Sequence, residues 1–519
     1  MYYITTAIDY TNGAPHIGHA YEKVLADVIA RYRRLNGEDA YYLTGVDQHG
    51  QKVQQTAEKE GVNPATFAQR NTRKFLKLWE KLEVNYDGWA ETMDDRHKAC
   101  VQKILQKLHD EGLLYKKAYK GFYSVRQEQF LTDKERGEDG KFGAEWGEVT
   151  EIEEENWYFK LSDQVEWMRA FVESNKDFVI PNFRHSEVLN AIERAADNDL
   201  CISRPKSRLR WGIELPFDTD YVTYVWFDAL INYISFAGYL AEEGSELPNF
   251  EDLWPANVHV IGKDILVPSH AIYWPAMLHA MGFADDQMPA LLCHGWWNIR
   301  GEKMSKSIGN VVDPDALADQ FGPETLRYYL VRDIVTGKDS DFDADRLVML
   351  YNTELANDLG NLCNRALNMS KRSLGGLMEV SDFDDEDCQA LRKSLNDAKI
   401  AYQAAMENYD TAAALQALNS HVSFCNGFAE RNKPWELAKD ESQRPRLSAV
   451  LYHMVESCAH IAVLLSPVTP QACAKIQNQL RLPELADKKI SDLNWGLIPA
   501  GHEIGKPKPV FPRIQIESE

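Results

Sequence analysis

Aromatic, β-branched and other apolar side chains fill the opening Met1-Tyr2-Tyr3-Ile4-Thr5-Thr6-Ala7-Ile8, which predicts a buried strand. Asn12-Gly13 marks a turn, and Pro15 stands where a helix can begin. From His19 onward, Ala20, Val24, Val28 and Tyr32 recur at helical spacing until Asn36-Gly37 stops the helix. A second predicted strand, residues 40–46, ends at Asp47-Gln48-His49-Gly50. A strand–helix–strand unit of this length calls for parallel strands joined by a right-handed crossover. Sheets of that kind bind ligands at the carboxyl ends of their strands, where both the turn and Asp47 lie.

The rhythm breaks between Tyr115 and Glu155, where Gly121, Gly137, Gly140, Gly143 and Gly147 stand among many acids and predict an irregular insertion. The α/β pattern returns with strands at 257–261 and 290–293, followed by a glycine- and lysine-rich loop at 301–309. Beyond about Asp345 the pattern is all-helical, with amphipathic stretches at 347–371, 390–406 and 446–465. The tail Lys506-Pro507-Lys508-Pro509-Val510-Phe511-Pro512 has too much proline for a helix and is expected to run over the surface.

Composition changes this picture little. A chain of 519 residues exceeds what one core holds and calls for three or four units. Neither a basic leader nor an apolar run long enough to span a bilayer is present, so a cytoplasmic protein without a membrane partner is expected. Lys plus Arg number 57 against 79 Asp plus Glu, a net charge of −22. That balance argues against non-specific nucleic-acid binding and leaves specific RNA binding open to a local basic and aromatic face. The eight cysteines, Cys100, Cys201, Cys293, Cys363, Cys388, Cys425, Cys458 and Cys473, form no Cys-x-x-Cys pair, so reduced core residues are expected rather than a disulfide scaffold or thiolate zinc.

Two constellations carry chemistry. In His16-Ile17-Gly18-His19 the histidines sit at i and i+3 where a helix begins, with free N–H groups and a positive dipole that favour polyanions. Gly18 leaves the backbone open to a ring or ribose. Alone, such a pair reads first as a helix cap. The second is Lys303-Met304-Ser305-Lys306-Ser307, between Gly301 and Gly309-Asn310, whose two ammonium groups suit a triphosphate that gains charge as pyrophosphate departs. Alone, it reads first as a solvated lysine loop.

Together and in this order, the two strings resemble the signatures of class I aminoacyl-tRNA synthetases, a resemblance that runs from Ile4 to about Pro512. It implies Mg2+-ATP as substrate, an aminoacyl-adenylate intermediate and transfer to the tRNA 3′ end. His16, Gly18 and His19 would then hold ATP, with Lys303 and Lys306 on the leaving pyrophosphate. The stretch Tyr224-Val225-Trp226-Phe227-Asp228-Ala229-Leu230-Ile231-Asn232-Tyr233 is similar to the side-chain pocket of the methionine-specific members. Trp226, Ala229 and Tyr233 fall on one helical face, and aromatic walls around a small residue suit a thioether. By the same resemblance Ala7, Ile8 and Tyr10 form the first-strand wall, Asp47 the ammonium anchor and His294 the pocket histidine. Asn361, Arg365 and Trp435 resemble an anticodon-reading trio, in which an aromatic stacks a base while polar groups read its edge.

The implied fold is an α/β, Rossmann-type parallel-sheet catalytic domain split by a connective insertion, followed by an all-helical anticodon-binding domain. The expected units are residues 1–115 and 216–290 for the two catalytic halves, 116–215 for the insertion, 291–345 for a stem-contact region with the lysine loop, and 346–519 for the helical domain and tail. The implied activity is ATP-dependent charging of initiator and elongator methionine tRNA with L-methionine, releasing AMP and pyrophosphate.

Three positions, in two departures, differ from the family. Asp9 stands where many relatives have Pro or Tyr. Ser124 and Gln127, in Tyr123-Ser124-Val125-Arg126-Gln127-Glu128, stand where zinc-binding cysteines are common. A hydroxyl and an amide do not replace soft thiolates, so no structural zinc is expected. The chain stops soon after Phe511-Pro512-Arg513-Ile514 without the tRNA-binding, dimerising barrel some relatives append, and a monomer is expected. The rival readings are a synthetase for another apolar amino acid, for whose editing domain there is no room, and a catalytically reduced tRNA-binding paralogue, against which both intact signatures speak.

Overall fold

The computed structural model describes residues 1–124, 129–131, 133–137, 139–195, 198–299, 301–303 and 311–515. β1 (Tyr2–Thr6) consists entirely of aromatic and β-branched residues, all buried, and β2 (Asp9–Tyr10) follows two residues later. α1 (Ile17–Leu35) is capped by His16 and carries Arg33 and Arg34 in its last turn, where the helix dipole favours cations. Gly37, just beyond it, takes φ +96°, a conformation open to glycine at little cost. β3 (Ala40–Asp47) returns parallel to β1.

Further strands up to the end of the main sheet are β4 (Gly88–Glu91), β5 (Leu114–Ser124), β6 (Gln129–Leu131), β7 (Val149–Phe159), β8 (Val179–Ile180), β9 (Leu200–Cys201), β10 (Ser203–Pro205), β11 (Glu214–Leu215), β12 (Asp218–Thr223), β13 (Val258–Gly262) and β14 (Ala290–His294). The main sheet runs β2-β3-β1-β13-β14-β8, with β4 also on β3, and every pairing in it is parallel. Its side chains alternate between two cores, as pleating requires. Tyr2, Ile4, Tyr42, Val46, Val258 and Val260 face a core shared with α1 and the C-terminal helices. Tyr3, Leu43 and Ile261 face a second core, which includes Phe227 and Tyr233. α1 starts beside β1, between β3 and β13, where the strand order turns back and the crevice opens.

The predicted irregular insertion is corrected. β5 and β7 pair antiparallel over eleven residues each, from Leu114 opposite Phe159 to Ser124 opposite Val149. Their outward positions are charged and pair across the ladder, Lys120 with Glu153 at 3.3 Å and Lys116 with Glu155 at 3.5 Å. Such strands lack the apolar alternation that would have announced them.

The C-terminal helices include Ala344–Leu350, Asn361–Leu374, Glu386–Glu407, Thr411–Asn432, Arg444–Leu464 and Pro470–Leu480. A two-residue strand pair, Leu377–Met378 with His502–Glu503, interrupts the otherwise helical region. The run Glu441–Leu464 is long and apolar enough to cross a membrane, and its apolar 18-residue stretch is wholly buried, while Glu441 and Ser442 at its start are exposed. The tail also differs from expectation, because Val510 and Phe511 are buried and Asn352 exchanges two hydrogen bonds with Ile514, at 2.8 and 2.9 Å. Its prolines prevent a helix but do not prevent docking.

Arg327, fully buried on the helix Pro323–Arg332, joins the two parts of the molecule. It pairs with Asp27 of α1 at 2.7 Å and donates to the carbonyls of Leu82, Val468 and Pro467 at 3.0, 2.9 and 2.8 Å. All eight cysteines are free and buried.

Candidate active site

The start of α1 is built by its own histidines. His16, in extended conformation with φ −133°, caps the helix, and its Nδ1 accepts from the Gly18 N–H at 3.1 Å. His19 Nδ1 accepts from the His16 N–H at 3.0 Å. An Nδ1 that accepts carries no proton, so each neutral ring carries its proton on Nε2 and is a donor there. The two rings lie 3.7 Å apart at 31°, beside the positive end of the helix dipole. Gly18 has a nearer reason than an approaching ligand: a Cβ there would stand 3.0 Å from His16 Cε1. The glycine makes room for the capping imidazole itself.

The eight residues of the expected amino-acid pocket sit on elements at or beside the carboxyl ends of the strands. Ala7 and Ile8 link β1 to β2, Tyr10 is in register with Asp47 at the end of β3, and His294 ends β14. Trp226 and Ala229 lie on the helical turn Val225–Leu230, and Tyr233 on Asn232–Ser235. Trp226 meets His270 edge-on at 6.2 Å, and the Tyr233 hydroxyl lies 2.8 Å from His270 Nε2. His270 Nδ1 faces the Ile265 carbonyl at 2.8 Å and must donate to it. Burial pushes His270 down to about 4, so the ring is neutral and Tyr233 donates its proton to Nε2. The Tyr233 ring also stacks on His259 at 4.1 Å, and His259 Nε2 accepts from the Trp274 indole N–H at 3.1 Å. Tyr233 is thus locked in orientation, which a selective pocket wall requires.

Asp228, between Trp226 and Ala229, accepts from His49 at 2.7 Å and His97 at 2.8 Å. Burial alone would raise its carboxyl, but the two histidines outweigh that and hold it at about 2. This fastens the pocket helix to the segment that follows Asp47 at the end of β3. Sequence reasoning missed His49, His97, His259 and His270, which belong to no motif. Glu22 and Lys23 were also missed, although Lys23 lies four residues beyond His19 on the same face of α1, a spacing that could have identified it.

The second signature is only partly in view. Trp297–Ile299 pairs antiparallel with Glu302–Lys303, which brings the chain back beside the end of β14. Lys306 lies outside the described residues. Gln127 does too, whereas Ser124 is buried and donates to the Trp146 carbonyl at 2.6 Å. Among the described residues one group, Asp384, Cys388 and His453, clusters closely enough to suggest a metal. It does not fit one. His453 Nδ1 faces the Ala449 carbonyl at 2.7 Å, and its Nε2 faces an Arg392 N–H at 2.8 Å, so no ring nitrogen is left to ligate.

In the helical part, Arg365 lies over the Trp435 ring at 5.7 Å and pairs with Glu430 at 2.7 Å. Trp435 is half-buried, and Asn361 is exposed one turn before Arg365 on the same helix. The structure therefore brings Arg365 and Trp435 together, with Asn361 on the adjoining turn.

Comparison with known proteins gives a single answer across the chain. The family model "tRNA synthetases class I (M)" matches residues 2–146 and 141–367, and "Anticodon binding domain of methionyl tRNA ligase" matches 381–519. The methionine–tRNA ligase of Fusobacterium nucleatum is 37% identical, covering 100% of this chain and 80% of that one. That of Bacillus subtilis is 38% identical, with 100% and 78% covered. Mycobacterium tuberculosis methionyl-tRNA synthetase in complex with methionyl-adenylate superposes with a TM-score of 0.91 at 35% identity, covering 99% of both chains. Its apo form gives 0.85 at 33% identity, over 99% and 98%.

Proposed function

The chain belongs to the methionyl class I aminoacyl-tRNA synthetases, and from that premise we propose how its crevice performs their reaction. It joins methionine to ATP, giving methionyl-adenylate and pyrophosphate, and then passes the methionyl group to methionine tRNA, releasing AMP. In the first step a methionine carboxylate oxygen bonds to the α-phosphorus of ATP, and the bond from that phosphorus to the bridging oxygen of pyrophosphate breaks. In the second, a ribose hydroxyl at the tRNA 3′ end attacks the carbonyl carbon, losing its proton, and AMP departs with the bonding pair. Neither step needs a covalent enzyme intermediate, so the residues work by placement and charge.

His16 and His19 donate from Nε2 to the phosphates at the dipole end of α1. The ammonium of methionine lies against Asp47, and its side chain lies among Ile8, Trp226, Ala229 and Tyr233, with Ala7, Tyr10 and His294 completing the walls. Lys303 and Lys306 take the charge of the leaving pyrophosphate, and magnesium arrives with the triphosphate. Trp435, Arg365 and Asn361 read the anticodon.

One observation carries this assignment: both histidines are fixed by their caps as Nε2 donors, beside a pocket whose Tyr233 wall is itself hydrogen-bonded in place. Amino-acid-dependent ATP–pyrophosphate exchange tests it. Methionine should support exchange, and valine, isoleucine and leucine should not. Preference for one of those three would overturn the pocket assignment, and absence of exchange with any amino acid would favour a paralogue that only binds tRNA.

A further inference from the structure

Behind the first-strand wall of the pocket lies a buried charge cluster that the proposed chemistry leaves unused. Lys23 lies on α1, four residues beyond His19, with its side chain fully buried. Its ammonium has three N–H bonds and a partner for each: the Ala7 carbonyl at 2.8 Å, Asp9 Oδ1 at 2.6 Å and Glu22 Oε1 at 2.7 Å. Glu22 extends the cluster, its Oε2 lying 3.0 Å from His294 Nε2, while His294 Nδ1 lies 2.8 Å from the Gly295 carbonyl. One ammonium thus joins the β1–β2 link and α1, and through Glu22 it reaches the end of β14.

Stability does not explain such a cluster, because apolar side chains of similar volume generally serve as well in a core as buried ions. Asp9 is poorly solvated even here. Its Oδ2 is buried without a hydrogen-bond partner, and burial pushes its carboxyl up to about 7 although Lys23 draws it down. Geometry does explain it. The Ala7 carbonyl and the Ile8 N–H belong to one peptide, and a trans peptide points them in opposite directions. Holding that carbonyl on Lys23 therefore fixes which way the Ile8 N–H faces and where the wall of the pocket stands. Asp9 closes the arrangement from the wall side, 4.0 Å from His19 Nε2.

We propose that Lys23, with Asp9 as its counter-ion, is a positioning residue for methionine: it holds the Ala7 and Ile8 wall in register with α1 and His294. This rests on the assignment of the pocket to methionine, and it gives the unusual Asp9 a role, as one half of a pair with Lys23.

The test is pyrophosphate exchange by the full chain, with KM measured separately for methionine and ATP. Asp9→Asn/Lys23→Met removes both charges of the clamp and leaves Glu22 on His294. KM for methionine should rise about tenfold, since small misplacements of a substrate wall cost that much or more, while KM for ATP stays within about twofold. Lys23→Met alone leaves Asp9 and Glu22 facing each other without a cation. It should raise KM for methionine at least as far and lower the thermal midpoint more than the double change. Methionine KM at the wild-type value in the double variant would overturn the clamp. So would an equal rise in both KM values, the mark of general loosening. If the wild-type chain shows no methionine-dependent exchange, the pocket assignment fails first. If it does and the double variant matches it, the clamp alone fails.

Discussion

Gly18 illustrates how a single missing side chain sets the chemistry of a site. A methyl group added there would meet only the His16 ring, with Cε1 at 3.0 Å and Nδ1 at 3.1 Å, so the ring can swing aside at small cost to the fold. That movement breaks the bond that fixes His16 as an Nε2 donor. Gly18→Ala should therefore lower kcat for methionine activation by about tenfold or more while leaving the thermal midpoint near wild type. Unchanged kcat would mean that the tautomer is set elsewhere. Histidines also set the pH response. Burial pushes His270 down to about 4 and His421 to about 3, and it pushes His259 well below its ordinary range. An unfolded chain binds protons at these three near pH 6.5, and the folded chain does not. Their contribution is complete above about pH 6.5 and is lost as pH falls toward 4, at roughly 1 kcal/mol or more per histidine per pH unit. Asp9, pushed up to about 7, has the opposite sign and costs stability as pH rises from about 4 through 7. Three histidines outweigh one carboxyl, so urea midpoints should fall from pH 7 to pH 5.5. His421→Gln should flatten that fall, and a parallel decline in both proteins would remove His421 from the account.

Between elements, the decisive joint is Arg327. It holds α1 through Asp27 and holds the turn between the last long helices through the Pro467 and Val468 carbonyls. Arg327→Met leaves a buried carboxylate and three carbonyls short of a donor. Removing one partner of a buried pair typically costs ~3–5 kcal/mol. Asp27 keeps Arg31 at 2.8 Å and the Asn85 N–H at 2.9 Å, so the lower end of that range is expected in denaturant unfolding. A loss below about 1 kcal/mol would show that the two parts are held by apolar packing alone. How much of this was legible in the sequence depends on which interactions are local. α1 was legible because its cap, its periodicity and Gly37 are all read within one helix length. β5 and β7 were not, because their stability comes from cross-strand pairs such as Lys120 with Glu153, set by partners more than thirty residues away. The pocket could be read on Trp226, Ala229 and Tyr233 through their spacing. His270 and His259, which hold Tyr233, sit in an apolar stretch with no spacing signal. Asp9 was visible as an oddity, but its partner Lys23 becomes apparent only when β2 and α1 are brought together.

At the scale of the whole molecule, the synthetase family match ends at residue 367 and the anticodon-binding match spans 381–519, so one substitution should separate activation from tRNA reading. Trp435 sits on the short helix Pro434–Leu437, half-buried, with the Arg365 guanidinium over its ring and Glu430 drawing that guanidinium aside. Among the described residues, Arg365 and Glu430, the partners in this arrangement, lie on the C-terminal helices. An unstacked base gains ~1–3 kcal/mol on an aromatic ring, and Arg365 beside that ring offers donors to the base edge. Trp435→Ala should therefore weaken aminoacylation of methionine tRNA by roughly tenfold or more, expressed in KM for tRNA. Methionine-dependent pyrophosphate exchange without tRNA should stay near wild type. Arg365→Ala removes the cation over the ring and should show the same split, because it too acts only when tRNA is bound. If exchange fell along with aminoacylation, Trp435 would be holding the helical unit together and reaching the crevice through the Arg327 joint. If neither changed, the base would be read by another face of the helices. Only the first outcome, charging lost and activation kept, makes Trp435 the point where this chain tells one tRNA from another.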